Sequence, residues 1–134
     1  MSETEARIAR VRRKIAGFPN PFSALTAYDY PSARFVDEAG IDFILVGDSL
    51  GMVVAGMEDT TGVTLDQMVY HTRMVRRGVK RGLLVSDLPI DTYRTPDESV
   101  SNGLALLDAG ADAVKLEGGI RQCAKIEAMV AADI

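Results

Sequence analysis

Short apolar runs alternate with amphipathic stretches along this chain, and the runs stop at polar residues. Phe43-Ile44-Leu45-Val46 gives way to Gly47-Asp48-Ser49, and Leu83-Leu84-Val85-Ser86 to Asp87. Ala113 to Leu116 carries Lys115 and is followed by Glu117. Apolar runs of about four to eight residues bounded by turn formers predict buried strands, and Phe22 to Ala27 is a further strand candidate.

The intervening stretches carry helix signals. Ile8, Val11 and Ile15 recur at helical spacing and predict an amphipathic helix over Glu3 to Ala16, ended by Gly17 and Pro19. Asp29 is placed to cap a helix running to Ala39, with Gly40 as its stop. Thr64 and Gln67 have capping-box spacing ahead of the stripe Leu65, Met68, Val69 and Val75. Thr95-Pro96-Asp97-Glu98 combines a cap, an early proline and a glutamate, predicting a helix to Ala109 with Gly110 beyond it. Ile120 to Ala131 starts one more helix, whereas Leu50 to Val63 lacks periodicity and reads as a long loop, a length more often functional than idle.

A weak internal repeat unites these elements. Ala39-Gly40-Ile41-Asp42-Phe43-Ile44 and Ala109-Gly110-Ala111-Asp112-Ala113-Val114 share a helix end, a turn and a strand start. Repeated strand-helix units imply parallel strands joined by right-handed crossovers. The fold class expected is therefore α/β, a (β/α)8 TIM barrel of which about four βα units follow an N-terminal helix. A complete barrel takes about 250 residues, so residues 1–134 are expected to form one domain, the N-terminal half of such a barrel. A doubly wound sheet is the alternative.

Composition narrows the function. A net charge of -4 and a pI near 4.9 argue against a nucleic-acid partner, which needs a surplus of Lys and Arg. Two basic runs, Arg10, Arg12, Arg13 and Lys14, and Arg73, Arg76, Arg77, Lys80 and Arg81, are read as solvated helix faces. The single cysteine, Cys123, builds no disulfide framework, and its place beside Ala124 and Ile126 predicts a packing role. No stretch has the roughly 20 apolar residues of a membrane span, and the N-terminus lacks a signal-peptide core. A cytoplasmic protein without a membrane partner is expected.

Parallel strands bring their C-terminal tips together, so Asp48, Ser49, Asp87, Lys115 and Glu117 are expected to converge. Three carboxylates with one amine and one hydroxyl outline a site for a hard cation such as Mg2+, which prefers oxygen ligands and keeps several waters. A 2-oxo acid would add oxygens by chelation through its carboxylate and ketone, acidifying the neighbouring C–H, with Lys115 offsetting the developing negative charge. The competing reading makes these residues helix caps and surface ion pairs. His71, the one histidine, has no partner at metal-ligand spacing.

The wording of the motifs is more specific. Leu25-Thr26-Ala27-Tyr28-Asp29-Tyr30-Pro31-Ser32-Ala33-Arg34, Val46-Gly47-Asp48-Ser49-Leu50-Gly51-Met52, Tyr70-His71-Thr72-Arg73, Asp87-Leu88-Pro89 and Val114-Lys115-Leu116-Glu117-Gly118-Gly119 resemble, in order, the N-terminal half of the ketopantoate hydroxymethyltransferases. The resemblance implies a barrel enzyme that transfers a hydroxymethyl group from 5,10-methylenetetrahydrofolate to 3-methyl-2-oxobutanoate, giving 2-dehydropantoate. It implies Mg2+ at Asp48 and Asp87 with Glu117 as a third acid near the metal, and oxo-acid binding by Asp48, Ser49, Asp87 and Lys115. The family's proton-abstracting glutamate matches a position beyond Ile134, so no catalytic base is expected here and the 134 residues alone are not expected to be active.

Departures from the family pattern are Met57-Glu58-Asp59, Thr61-Gly62 and Ile90-Asp91. Alternatives are another metal-dependent oxo-acid enzyme of the phosphoenolpyruvate mutase and isocitrate lyase group, or a non-catalytic half-barrel. Four strands in an open sheet leave two edges and an apolar face uncovered, so a homo-oligomer is expected.

Overall fold

The structure is a computed structural model that describes residues 3–19 and 21–134. Helix α1 (Glu3–Ala16) precedes four repeats of strand and helix: β1 (Ala24–Thr26), α2 (Tyr30–Glu38), β2 (Phe43–Val46), α3 (Leu50–Val53), α4 (Leu65–Gly78), β3 (Leu83–Asp87), α5 (Pro96–Asp108), β4 (Ala113–Lys115) and α6 (Cys123–Ala131). A 3-10 turn, Gly119–Gln122, leads into α6. The strands are all parallel and lie in the order β1-β2-β3-β4. A doubly wound sheet reverses its order at a switch point; this sheet runs in one direction only, as in one side of a barrel.

The helix boundaries follow the caps in the sequence. Asp29 accepts the backbone N–H of Ser32 and closes a capping box with it, Thr64 and Gln67 form another, and Thr95 accepts from Glu98 N–H ahead of Pro96. Each such cap contributes about 1 kcal/mol. The segment after β2 differs from the expected loop, because Leu50–Val53 makes one helical turn and buries Leu50 and Gly51. Four residues are too few to show a period in sequence.

Alternation along the strands sends Ile44, Val46 and Leu84 toward the helices. There they meet Ala33 of α2, Met68 and Val75 of α4, Leu106 of α5 and Met129 of α6 in one buried cluster. Ser86, on the same face, pairs its hydroxyl with Thr72 of α4 at 2.8 Å. Phe43, Leu83, Val85 and Ala113 face the other way, onto a cavity of about 490 Å3 that Val11 and Ile15 of α1 close from one side. Leu25 on the edge strand β1 and Val130 on α6 remain largely exposed.

The two repeat motifs perform the same task at the N-terminal ends of the strands. Asp42 accepts Ser23 N–H at 2.9 Å and Asp112 accepts Leu84 N–H at 2.9 Å, each fastening the start of its strand to the neighbouring one. Gly40 and Gly110, at φ of 84° and 110°, make the left-handed turn that admits these acids.

The basic runs are not simply solvated faces. Arg10 and Arg76 both pair with the buried Asp112, Lys14 donates to Gly82 O at 2.7 Å, and Arg81 pairs with the buried Asp37 at 3.5 Å. Helix α1 crosses below the strand starts, so one side of its basic run is drawn to the acids and carbonyls gathered there. Arg12, Arg13, Arg73, Arg77 and Lys80 are exposed as expected. Cys123 departs from its expected packing role: it opens α6 on the outward side and is exposed.

Candidate functional site at the strand tips

The parallel register continues past the last strand residues. Ala27 N–H donates to Leu45 O, and Leu88 N–H to Lys115 O at 2.8 Å. With Thr26 opposite Leu45, Val46 opposite Ser86 and Asp87 opposite Lys115, the next row across the sheet is Tyr28, Gly47, Asp87 and Lys115. Ser86 points to the helices, so pleating turns Asp87 to the opposite face, the inside of the curved sheet.

Asp87 is the centre of this row. It is buried, its Oδ1 accepts from Lys115 Nζ at 2.8 Å, and its Oδ2 accepts Asp48 N–H at 3.2 Å. Lys115 reaches on to Glu117 at 3.3 Å. Asp48 and Ser49 are half-buried, while Glu117 is exposed and touches the group through Lys115. Strand β3 therefore supplies a sheltered carboxylate, β2 a second carboxylate and a hydroxyl, and β4 an ammonium bridging two acids.

Gly47 shapes the floor. A Cβ there would fall 2.7 Å from Ser49 Oγ and 3.7 Å from Asp87 Oδ2, so the missing side chain is the space into which Ser49 folds back. Ser49 stands at the N-cap of α3 but makes no capping bond with its side chain. Its hydroxyl instead meets Tyr28 Oη at 2.8 Å.

Burial pushes the Asp87 carboxyl above the ordinary carboxylate range; the Lys115 bond and charge and the Asp48 N–H pull it down without fully offsetting this, and the neighbouring Asp48 charge adds to the rise. Burial also works against the Lys115 charge, but the bonds and charges of Asp87 and Glu117 outweigh it and raise the ammonium pKa. The rim thus holds a lysine firmly charged beside a carboxylate short of positive compensation.

All five sequence-predicted residues lie at this rim. Asp87 bonds to Lys115 and to the Asp48 backbone N–H, Ser49 follows Asp48 with its hydroxyl on Tyr28, and Glu117 lies at the outer edge on Lys115. Among the described residues, no group of three or more His, Cys, Asp or Glu is arranged to hold a metal ion. Tyr28 is the residue the pattern missed. Its signal is the parallel register, which carries β1 two residues past Thr26 to a position opposite Gly47. His71 joins the periphery, its Nδ1–H donating to Tyr28 O at 2.6 Å.

A one-directional parallel sheet with its chemistry at the C-terminal tips defines a protein of the (β/α)8-barrel class, here one side of the barrel. Solved barrels share the architecture. The chain is similar to a phosphonopyruvate hydrolase in complex with oxalate and Mg2+ (TM-score 0.74, 19% identity, 98% of this chain and 48% of that one). It is similar as well to a phosphoenolpyruvate phosphomutase from Streptomyces platensis subsp. rosaceus (0.74, 21%, 93% and 49%). At such identities the likeness concerns the fold.

The sequence is more specific: residues 7–134 match the ketopantoate hydroxymethyltransferase family, and the chain belongs to it. A 3-methyl-2-oxobutanoate hydroxymethyltransferase of Pyrobaculum aerophilum is 50% identical over 127 residues, covering 92% of this chain and 48% of the relative. One from Shewanella loihica is 57% identical over 98 residues, covering 73% and 37%. The chain spans about half the length, or less, of these curated relatives. The resemblance in the motifs is thereby borne out at family level.

Proposed function

We propose that these residues form the metal- and oxo-acid-holding part of a 3-methyl-2-oxobutanoate hydroxymethyltransferase, acting with 5,10-methylenetetrahydrofolate to give 2-dehydropantoate. The observation that carries this reading is the buried Asp87, held between Lys115 Nζ at 2.8 Å and Asp48 N–H at 3.2 Å at the tip of a parallel strand. Family membership supports the choice of substrate, since the curated relatives bear that name.

The donor set fits Mg2+ in the form that ion prefers. Asp48 and Asp87 offer hard carboxylate oxygens, and each oxygen of Asp87 accepts one protein hydrogen bond although a carboxylate has about four acceptor positions. Two carboxylates with waters and substrate oxygens suit such an ion, and Glu117, tied to Lys115, would lie near it. Bound Mg2+ would supply Lewis acidity toward the 2-oxo acid.

The chain's own side chains have separate tasks in this proposal. Lys115 presents a fixed positive charge toward the substrate's carboxylate or the enolate that forms on proton loss. Ser49 donates a hydrogen bond to the oxo acid, and Asp48 and Asp87 hold its metal-facing side. The proton at C3 is taken by a group outside the residues assigned here.

The exposed apolar surface at Leu25 and Val130 supports burial against further polypeptide, and a homo-oligomer is the assembly we propose. Among the described residues no helix is long and apolar enough to cross a membrane, and a cytoplasmic setting is proposed from the cosubstrate.

Calorimetric titration of 3-methyl-2-oxobutanoate with and without Mg2+ tests the proposal. Binding is expected only with the metal, and Asp48→Asn is expected to weaken it at least tenfold. Equal binding of 3-methylbutanoate, which lacks the ketone, would overturn it.

A further inference from the structure

We infer that Tyr28 is a positioning residue for Ser49, its phenol donating to Ser49 Oγ so that the serine proton is left directed at a ligand oxygen in the rim. This deepens the oxo-acid reading and rests on it. Three observations meet here.

First, Ser49 has helical backbone angles, φ −52° and ψ −13°, so its side chain does not cap α3 and its hydroxyl is left for other partners. The hydroxyl is engaged with Tyr28 Oη at 2.8 Å instead. Second, Tyr28 is fixed at both ends. Its ring packs half-buried against the core cluster, and its carbonyl accepts the Nδ1–H of His71 at 2.6 Å. The His71 ring in turn meets Tyr70 edge-on, with centroids 5.7 Å apart. Third, Gly47 leaves open the space Ser49 Oγ needs, since a Cβ there would lie 2.7 Å from that oxygen.

The polarity follows from chemistry. Each hydroxyl carries one proton, and a phenol is the more acidic and therefore the better donor. With Tyr28 donating, the serine oxygen is used as acceptor and its own O–H is free for an anionic ligand, strengthened by the bond it receives. Strand β1 thereby contributes to the rim although it brings no charged group to it.

A double-mutant cycle in oxo-acid affinity, measured with Mg2+, tests the coupling. Tyr28→Phe keeps the packed ring and is expected to weaken binding roughly five- to tenfold, the effect of one hydrogen bond. Ser49→Ala is expected to weaken it at least as much, and Tyr28→Phe is expected to add nothing in the Ser49→Ala background. Thermal melts of both variants check that the fold is kept. Independent, additive losses would overturn the inference, because a merely structural tyrosine would weaken binding with or without the serine.

A second readout does not depend on ligand. The tyrosine Raman doublet reports whether a phenol donates or accepts, and subtracting the Tyr28→Phe spectrum isolates this ring. A donor signature that disappears in Ser49→Ala is expected; an acceptor signature would overturn the inference. Should the unmodified protein bind no oxo acid, the proposed function fails, and the Raman result still decides the direction of the Tyr28–Ser49 bond.

Discussion

Replacing Asp87 with Asn separates the stability of the rim from its use. The variant keeps an oxygen for Asp48 N–H and nearly the same volume, but removes a charge from a side chain only 5% exposed. Two effects oppose each other. The charge-assisted bond from Lys115 is lost, a contribution of about 1.5–3 kcal/mol. The desolvation of a buried carboxylate, which costs several kcal/mol, is relieved. Lys115 is 39% exposed and keeps Glu117 at 3.3 Å, so its charge is not stranded.

Burial is the leading cause of the raised Asp87 pKa, and together with the Asp48 charge it outweighs the Lys115 bond and charge. In EDTA at neutral pH, Asp87→Asn is therefore expected to be more stable than the parent by about 1 kcal/mol, roughly 4 °C in Tm. Because the folded chain holds the Asp87 proton more tightly than the unfolded chain, the parent's stability falls as pH rises from the ordinary carboxylate value through the raised one. The difference should vanish near pH 4 and open toward pH 7, a window in which Lys115 stays charged. Thermal melts across that range measure it. A variant less stable by several degrees at neutral pH would refute this, showing the Lys115 bond to outweigh the burial of the charge.

Other substitutions probe the parts that support the rim. Asp112→Ala should cost about 3–5 kcal/mol in urea unfolding, because it leaves Leu84 N–H without its acceptor and Arg10 and Arg76 without the carboxylate they share; a loss under about 1 kcal/mol would contradict the fastening role. Gly47→Ala should turn Ser49 Oγ away from Tyr28, weakening oxo-acid binding by up to about tenfold while leaving Tm nearly unchanged, since a serine rotates cheaply. Unchanged affinity in that variant would speak against a ligand role for the hydroxyl.

Much of this arrangement was legible in the sequence, for identifiable reasons. Apolar runs bounded by turn formers mark parallel strands, and because such strands share a direction, the polar residue ending each run had to share an end of the sheet with the others. That shared end brings Asp48, Asp87 and Lys115 together on sequence grounds alone. The caps at Asp29, Thr64 and Thr95 were equally plain, because a cap is a contact between residues three apart in the chain.

Most of what escapes the sequence depends on contacts distant in it. Tyr28 lies between the strand expected at Phe22 to Ala27 and the cap at Asp29; only the pairing of β1 with β2 brings its phenol to Ser49, 21 positions away. Arg10, Lys14 and Arg76 looked solvated because the acids and carbonyls that receive them lie on other elements, Asp112 and Gly82. Cys123, beside Ala124 and Ile126, reads as a packing residue, but it follows the turn at Gly119–Gln122 as the first residue of α6 and is exposed.

The most direct measurement of the central claim is a map of backbone amide NMR shifts as Mg2+ and 3-methyl-2-oxobutanoate are added together. The account predicts changes concentrated at Tyr28, at Gly47 to Ser49, at Asp87 and Leu88 and at Lys115 to Glu117, all at the C-terminal tips of the strands. Changes centred instead on the cavity lined by Arg7, Arg10, Arg76 and Asp112 at the opposite end of the sheet would contradict it.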